Sequence, residues 1–136
     1  MKFDEQTFTV PGPPRAKQRP RRSPAGVWYT PKPTREYEAA VAWNAHAAGV
    51  HLDGETAYML VVDLYLSARR ADVDNIVKAI QDGLNQLPGW DDRQVVTLLA
   101  DSHMVRDGSE EHAVVSLVDR GPLEDLMPAT TSHYEE

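Results

Sequence analysis

The sequence contains no cysteine, and this absence excludes disulfide bonds, thiolate zinc sites and a cysteine nucleophile. Any metal ion must therefore be bound by oxygen or imidazole ligands. No apolar run approaches the roughly 18 residues that a membrane-spanning helix needs. The acidic start, residues 1–5, lacks the basic and apolar regions of a signal peptide. We therefore expect a cytoplasmic protein with no membrane contact.

Length and composition are those of one globular domain. The chain has 136 residues and a mass of 15.2 kDa, and domains most often have roughly 100 to 150 residues. Hydrophobic residues make up 41% and charged residues 26% of the chain. This composition allows a buried core and argues against disorder.

Charge is distributed unevenly along the chain, although the net value is −7. Residues 11–35 carry seven basic side chains and no acidic one, whereas residues 36–136 carry 19 acidic and 6 basic side chains. This asymmetry predicts a basic arm that binds a polyanion, attached to a body that concentrates acids for another purpose. The alternative is a solvated loop. Arginine favours the first interpretation, because its planar guanidinium pairs well with phosphate oxygens. The basic residues are Arg15, Lys17, Arg19, Arg21, Arg22, Lys32 and Arg35.

The first third of the chain is predicted to form a strand, an arm and a helix. Residues 6–10 alternate and are rich in β-formers, which predicts a strand. Seven prolines prevent regular hydrogen-bonded structure across most of residues 11–33, apart from a short strand at 27–29. Apolar residues then recur at helical spacing up to Gly49, with Thr34 as the expected N-cap.

The remaining chain is predicted to form a strand, a helix and two further strands. An apolar run over residues 57–66 predicts a central strand, and helical periodicity over 74–87 predicts a second helix, which Pro88 and Gly89 end. The last two strands are expected at residues 94–100 and 112–118.

This order of elements predicts an α+β fold. We expect a small two-layer domain, with a mixed sheet of about four strands and two helices on one face. Residues 1–120 are expected to form this single domain, including the basic proline-rich arm at residues 11–33. Residues 121–136 are expected to form an extended C-terminal tail, with at most a turn at 124–127.

Two carboxylates and a lysine lie between the central strand and the second helix. Asp72 and Asp74 would point about 200° apart on a helix, but to the same side of an extended chain. The pattern predicts that residues 70–73 are extended and that Asp74 lies near the helix N-cap, so both carboxylates can converge. Lys78 follows Asp74 by four residues and should lie on the same face, close enough to contact a phosphate.

A second acidic pair, Asp91 and Asp92, precedes the next strand. Because a helix with short loops returns the chain to the sheet, we expect this strand to start near the end of the previous one. Three or four carboxylates would then meet at one rim. Such a cluster needs a cation, and hard oxygen ligands select Mg²⁺ or Mn²⁺ over zinc. The ion would activate a water and offset charge on a phosphorane-like transition state. The alternative is that one pair caps a helix and the other forms a turn.

Three blocks of the sequence, taken together, resemble the RusA family of Holliday junction resolvases and related phage endonucleases. They read PGPPRAKQRPR over residues 11–21, DVDNIVK over 72–78 and WDDRQV over 90–95. The resemblance extends from about Phe8 to Val118. In this chain Trp90 directly precedes the acidic pair, where family members are expected to have one intervening residue.

The resemblance implies a small α/β homodimer that cleaves branched DNA with Mg²⁺, for which Mn²⁺ substitutes. By position, the residues implied as catalytic are Asp72, Asp74, Asp92 and Lys78. The implied metal ligands are the same three aspartates, with Asp91 as an accessory acid. Arg69 and Arg70, beside the acids, are expected to contact phosphates. The arm residues expected to bind the DNA are Arg15, Lys17, Arg19, Arg21 and Arg22.

The leading hypothesis is a structure-selective endodeoxyribonuclease that resolves Holliday junctions in DNA recombination and repair. Symmetric cutting of a four-way junction needs two active sites, which a two-fold dimer supplies. One alternative is a non-catalytic module that binds branched or single-stranded nucleic acid and uses its acids only for capping and solubility. Another is a metal-dependent hydrolase that acts on a small phosphorylated substrate.

Overall fold

The computed structural model describes residues 4–69 and 72–126. Along the chain these residues form strand β1 (Glu5–Pro11), a hairpin of β2 (Arg21–Arg22) and β3 (Trp28–Tyr29), helix α1 (Lys32–Ala47), strand β4 (Thr56–Leu66), helix α2 (Val73–Leu84), strands β5 (Val95–Met104) and β6 (His112–Pro122), and the short helix α3 (Leu123–Leu126). The predicted α+β class, with a four-stranded mixed sheet and two main helices, is confirmed.

The main sheet has the strand order β1-β6-β4-β5. Strand β6 pairs antiparallel with both β1 and β4, whereas β4 and β5 are parallel. In the parallel pair, Val95 lies beside Tyr58 near the start of β4, and Met104 lies beside Leu66 at its end. The sheet therefore has β1 at one edge and β5 at the other.

The core lies between one face of the sheet and the two helices. In β4 every second side chain from Leu60 to Leu66 is buried, as expected for a strand with one face against the core. Helix α2 buries an apolar stripe that includes Ile76 and Ile80, and α1 buries Val41. Each large aliphatic side chain fully buried in this way stabilises the fold by roughly 1.5–3 kcal/mol.

Helix α1 packs closely against α2 at Gly83. A Cβ atom built at Gly83 would lie 2.6 Å from the Cβ of Val41 and 2.8 Å from the carbonyl oxygen of Glu38, so only glycine fits.

The prediction that the second helix continues to residue 87 is wrong, because α2 ends at Leu84. In the following turn, Gly89 has a φ of +81°.

The start of α1 also differs from the prediction. The helix begins at Lys32, with Pro33 in its first turn, where proline is tolerated. Thr34 is therefore inside the helix and is not its N-cap. Its side chain is buried, and its hydroxyl accepts a hydrogen bond from the backbone N–H of Gln18 at 3.0 Å. The residue predicted to cap the helix instead attaches the arm to it.

The C-terminal part of the sheet is longer than predicted. Strand β6 continues to Pro122, and the first residue of α3, Leu123, is buried and donates its N–H to the carbonyl oxygen of Glu55 at 2.7 Å. The fold therefore includes the start of the segment predicted to be a tail, and residues 127–136 lie outside the described part. Among residues 4–69 and 72–126, no helix has the length and hydrophobicity required to cross a bilayer.

Candidate functional site

The arm between β1 and α1 lies against the starts of both main helices. Its backbone at Lys17 donates a hydrogen bond to the carbonyl oxygen of Asn75, in the first turn of α2, at 3.0 Å. The next residue, Gln18, is bound by Thr34 of α1, and Pro14 is buried. These contacts hold the middle of the arm, so its flanking arginines are presented beside α2.

Asp72 and Asp74 both lie at the start of α2 but face different pockets. Asp72 is the N-cap residue and lines a surface pocket with Arg15 and Pro33. Asp74 is exposed in the first helical turn and lines a groove between α2 and β5. The prediction of an extended chain over residues 70–73 is wrong at its described end, because Val73 is already helical. Residues 70 and 71 lie outside the described part of the chain. The predicted phosphate contact of Arg70 therefore falls on a residue that the structure does not describe.

Lys78 is exposed one turn after Asp74 and lies between two pockets. On one side it shares the groove of about 530 Å³ with Asp74, and Leu98 of β5 forms part of the apolar wall. On the other side it lines a pocket of about 390 Å³ with Lys17 and Arg19 of the arm. The lysine predicted to be catalytic is therefore adjacent both to a predicted metal ligand and to the basic arm.

Lys17 differs from the other basic residues of the arm because its ammonium group forms an ion pair with Asp82, in the last part of α2. This hydrogen bond is the main cause of a raised pKa for Lys17, and the carboxylates of Asp82, Glu38 and Asp92 add to it. Partial burial acts in the opposite direction. Lys17 was predicted to bind DNA, but its ammonium group is bound within the protein.

Glu38, on α1, interacts with the charges of both Lys17 and Asp82. Burial raises the pKa of its carboxyl group, the negative charge of Asp82 raises it further, and Lys17 partly opposes both effects. Lys17 thus compensates charge on two helices at once. The contact links the arm to α1 and α2 by electrostatic attraction as well as by backbone hydrogen bonds.

Asp91 is part of the turn that leads into β5. It caps a short 3₁₀ helix, Asp92–Gln94, by accepting hydrogen bonds from the backbone N–H and the Nε of Arg93. The backbone bond is the main cause of a lowered pKa for Asp91. Gln94 completes the turn: its buried side chain accepts from the N–H of Asp91 and donates to the carbonyl oxygens of Asp53 and Thr56. Asp92 is exposed.

The two acidic pairs do not meet within one chain, so the prediction that they converge at one rim is wrong. A helix that joins two parallel strands returns the chain to the end at which the first strand began. Accordingly, β5 starts beside Tyr58, near the beginning of β4. The carboxylate of Asp92 helps to raise the pKa of Lys17, whose ammonium group is bound at Asp82. Asp82 is eight residues after Asp74, or about 12 Å along the helix axis. Among the described residues, no group of three or more Asp, Glu and His side chains is arranged to hold a metal ion.

Three residues that shape this region were not predicted as parts of the site: Asp82, Glu38 and Gln94. Asp82 follows Lys78 by four residues within the predicted second helix, and that spacing is the only signal for it in the sequence. Glu38 gave no signal, because its role depends on charges from segments that are distant in sequence. For Gln94 the three-residue spacing from Asp91 is the local signal of a capping box, whereas its bonds to Asp53 and Thr56 join segments that are distant in sequence.

The α+β domain holds an acid-free basic arm beside exposed carboxylates, and an arm of this charge suits the phosphate backbone of a nucleic acid. The sequence profile described as endodeoxyribonuclease RusA matches residues 11–116 of the chain. The match covers more than half of the chain, and the protein belongs to the RusA endodeoxyribonuclease family. Family membership indicates an endodeoxyribonuclease that resolves Holliday junctions. Among curated proteins, no sequence matches the chain.

Proposed function

We propose that the protein is a Mg²⁺- or Mn²⁺-dependent endonuclease that resolves Holliday junctions in DNA recombination and repair. The observation that carries the proposal is the attachment of the basic arm to the first turn of α2, through Lys17 and Asn75. A DNA backbone bound by the exposed arginines of the arm would pass next to Asp72, Asp74 and Lys78. Family membership supports the reaction class.

Asp72 and Asp74 are carboxylates of the kind that binds a hard cation, and each of them lines its own pocket at the start of α2. Mg²⁺ is commonly bound by one or two carboxylates and keeps several water ligands, and the carboxylates of Asp72 and Asp74 are the oxygen donors that α2 supplies here. When bound, such an ion lowers the pKa of a water molecule and offsets negative charge on the phosphate. We assign Lys78 to a phosphate oxygen, and Arg15, Arg19 and Arg69 to the flanking backbone.

The third predicted ligand, Asp92, requires a second subunit in this proposal. Asp92 lies near the start of β5, whereas Asp72 and Asp74 follow the end of β4. In this proposal a ligand set that includes all three residues therefore combines two chains. This separation supports a homodimer in which each site combines the start of α2 from one subunit with Asp92 of the partner subunit.

The edge strand β5 is the surface we propose for this dimer. One side of β5 pairs with β4, and in the sheet that the structure describes β5 is the last strand. Its side chains Leu98, Leu99 and Met104 are 48%, 49% and 63% exposed. An exposed apolar edge strand favours pairing with another strand. Two copies of β5 paired antiparallel would bring the start of the partner's strand to the end of β4, which is where α2 begins.

The test of the proposal is cleavage of labelled DNA by the purified protein. The substrates are an immobile four-way junction, a flap and a linear duplex, each with Mg²⁺, Mn²⁺ or EDTA. We expect paired nicks in the junction that require the metal and are abolished by Asp74→Asn. The matched control is Asp125→Asn, because Asp125 is also exposed but lies on α3. Cleavage that persists in EDTA, or in Asp74→Asn, would contradict the proposal.

A second candidate function is a module that binds branched or single-stranded nucleic acid without cutting it. The observation that favours it is the structural use of one of the acids: the carboxylate of Asp91 belongs to a capping box and accepts a hydrogen bond from the backbone N–H of Arg93. This function predicts binding without cleavage in the same assay, and binding that Asp74→Asn leaves unchanged.

A further inference from the structure

The hairpin within the arm is a defined structure and not an irregular loop. Arg21 lies opposite Tyr29, and Arg22 lies opposite Trp28. Ser23 closes the turn, because its N–H donates to the carbonyl oxygen of Val27 at 2.8 Å and its hydroxyl accepts from the N–H of Val27 at 3.1 Å. The hairpin thus places two arginines opposite two aromatic residues.

The base of the hairpin is fixed to the body. The guanidinium of Arg35, in the first turn of α1, donates to the carbonyl oxygen of Thr30 at 3.0 Å. Thr30 directly follows β3, so α1 holds the strand that carries Trp28 and Tyr29. A side chain on this hairpin is therefore positioned relative to α1.

Three consecutive large apolar side chains in this hairpin are exposed. Val27 is 63%, Trp28 66% and Tyr29 47% accessible to solvent. Trp28 and Tyr29 lie on opposite faces of the hairpin, and an exposed aromatic ring in a short, fixed hairpin is a candidate binding surface. In the catalytic proposal above, metal and phosphate are bound by other residues, so this surface has no assigned role.

The neighbouring charges identify the partner of this surface. Side chains directly opposite each other in an antiparallel pair lie on the same face, so each face of the hairpin combines one arginine with one aromatic ring. The whole segment of residues 11–35 has no acidic side chain. A guanidinium beside an exposed ring suits a nucleotide, because the ring stacks on a base and the guanidinium binds the adjacent phosphate.

We propose that the hairpin at residues 21–29 is the element that recognises the branch point, with Trp28 stacked on a base that the branch exposes. In a continuous duplex the faces of the bases are covered by their neighbours, whereas at a branch a terminal or unpaired base has a free face. This inference rests on the proposed function in that it names the part of the branched substrate that is bound. It assigns Trp28 to substrate selection and leaves the metal and phosphate contacts to α2 and the arm.

The first test compares binding of a four-way junction and of a linear duplex in EDTA, where no cleavage occurs. We expect Trp28→Ala to weaken junction binding by roughly five- to hundredfold, the range measured for loss of one stacked base, and to leave duplex binding nearly unchanged. The matched control is Trp43→Ala: Trp43 is 67% exposed, as Trp28 is at 66%, but it lies on α1 and outside the arm. The control should retain the junction preference of the wild type.

The second test locates the contact. In a protein with Trp43→Phe and Trp90→Phe, Trp28 is the only tryptophan, and we expect its fluorescence to be quenched by the junction more than by the duplex. A 2-aminopurine base at the branch point should in turn respond to wild-type protein and not to Trp28→Ala. The same base placed within one arm of the junction should not respond.

These outcomes separate the inference from the proposed function. An equal loss of junction and duplex binding in Trp28→Ala, or a 2-aminopurine signal that this variant retains, would overturn the inference while wild-type cleavage still supports a resolvase. Junction binding without cleavage by the wild type would contradict the proposed function, and the ratio of junction to duplex affinity in Trp28→Ala would still decide the role of the hairpin.

Discussion

At the scale of single residues, Gln94 is the clearest structural determinant. Its buried amide joins three backbone groups, at Asp91, Asp53 and Thr56. Gln94→Leu would leave those groups without their partner, so we expect a loss of about 2 kcal/mol or more in the free energy of unfolding. Chemical denaturation measures this value. Gln86→Leu, at an exposed position in the turn after α2, should change stability little, and equal effects of the two substitutions would contradict the assignment.

The raised pKa of the Glu38 carboxyl group predicts how the stability of the protein depends on pH. Burial and Asp82 raise its folded-state pKa above its ordinary value of 4.5, so the folded protein binds this proton more tightly than the unfolded chain does. The free energy of unfolding therefore falls as the pH rises from about the pKa of Glu38 in the unfolded chain through its higher pKa in the folded protein. We expect Glu38→Gln to reduce this loss in thermal unfolding scans across that interval. A variant with the same pH profile as wild type would contradict the prediction, and the exposed Glu124→Gln is the control.

At the scale of elements, the position of the arm depends on its contacts with α2. Asp82→Asn removes the charge that holds the ammonium group of Lys17. We expect only a small loss of global stability, because both partners are partly exposed. The arm, however, should be cleaved faster by trypsin at its basic residues, and junction affinity should fall with it. Glu36→Gln, which breaks the exposed Lys32–Glu36 pair at 3.6 Å, should leave both measurements near wild type.

Most elements were predictable, because each depends on local sequence. Alternation identified the first strand, and a continuous apolar run identified the central one. The 3.6-residue periodicity identified both helices, and the prolines identified the arm. The errors concern contacts between segments. Thr34 matches an N-cap by composition but is bound to Gln18 of the arm. The pattern also does not reveal that Lys17 is bound by Asp82, since 65 residues separate the two in sequence.

The largest error in the predicted site has a topological cause. Short loops around a helix do bring the next strand back to the sheet, but in a parallel pair the starts of the two strands lie together. Asp91 and Asp92 therefore lie away from Asp72 and Asp74, although each pair was correctly placed beside its own element. The two-residue spacing of Asp72 and Asp74 was also interpreted as a sign of extended chain. In the structure, Asp72 precedes the helix and Asp74 is within it.

At the scale of the whole molecule, the composite site we propose can be tested by mixing two inactive variants. Asp74→Asn and Asp92→Asn should each abolish cleavage alone. In a mixed dimer whose sites combine residues of both subunits, one site has lost both aspartates and the other has lost neither. We therefore expect single nicks in the junction when the variants are refolded together, measured on a denaturing gel. If each site belonged to one chain, the mixture would stay inactive, and that result would contradict the composite site.

The two edges of the sheet differ, and the difference limits how large an assembly can become. Strand β5 exposes leucines, whereas the exposed side chains of β1 include Glu5, Thr7 and Thr9, and the strand ends at Pro11. Polymerisation through sheets requires two adhesive edges on each molecule, so that every added copy leaves another edge free. In the sheet that the structure describes, only β5 is an edge strand with exposed leucines. In the dimer that we propose through β5, both outer edges would be β1 strands, so growth into filaments would stop at the dimer.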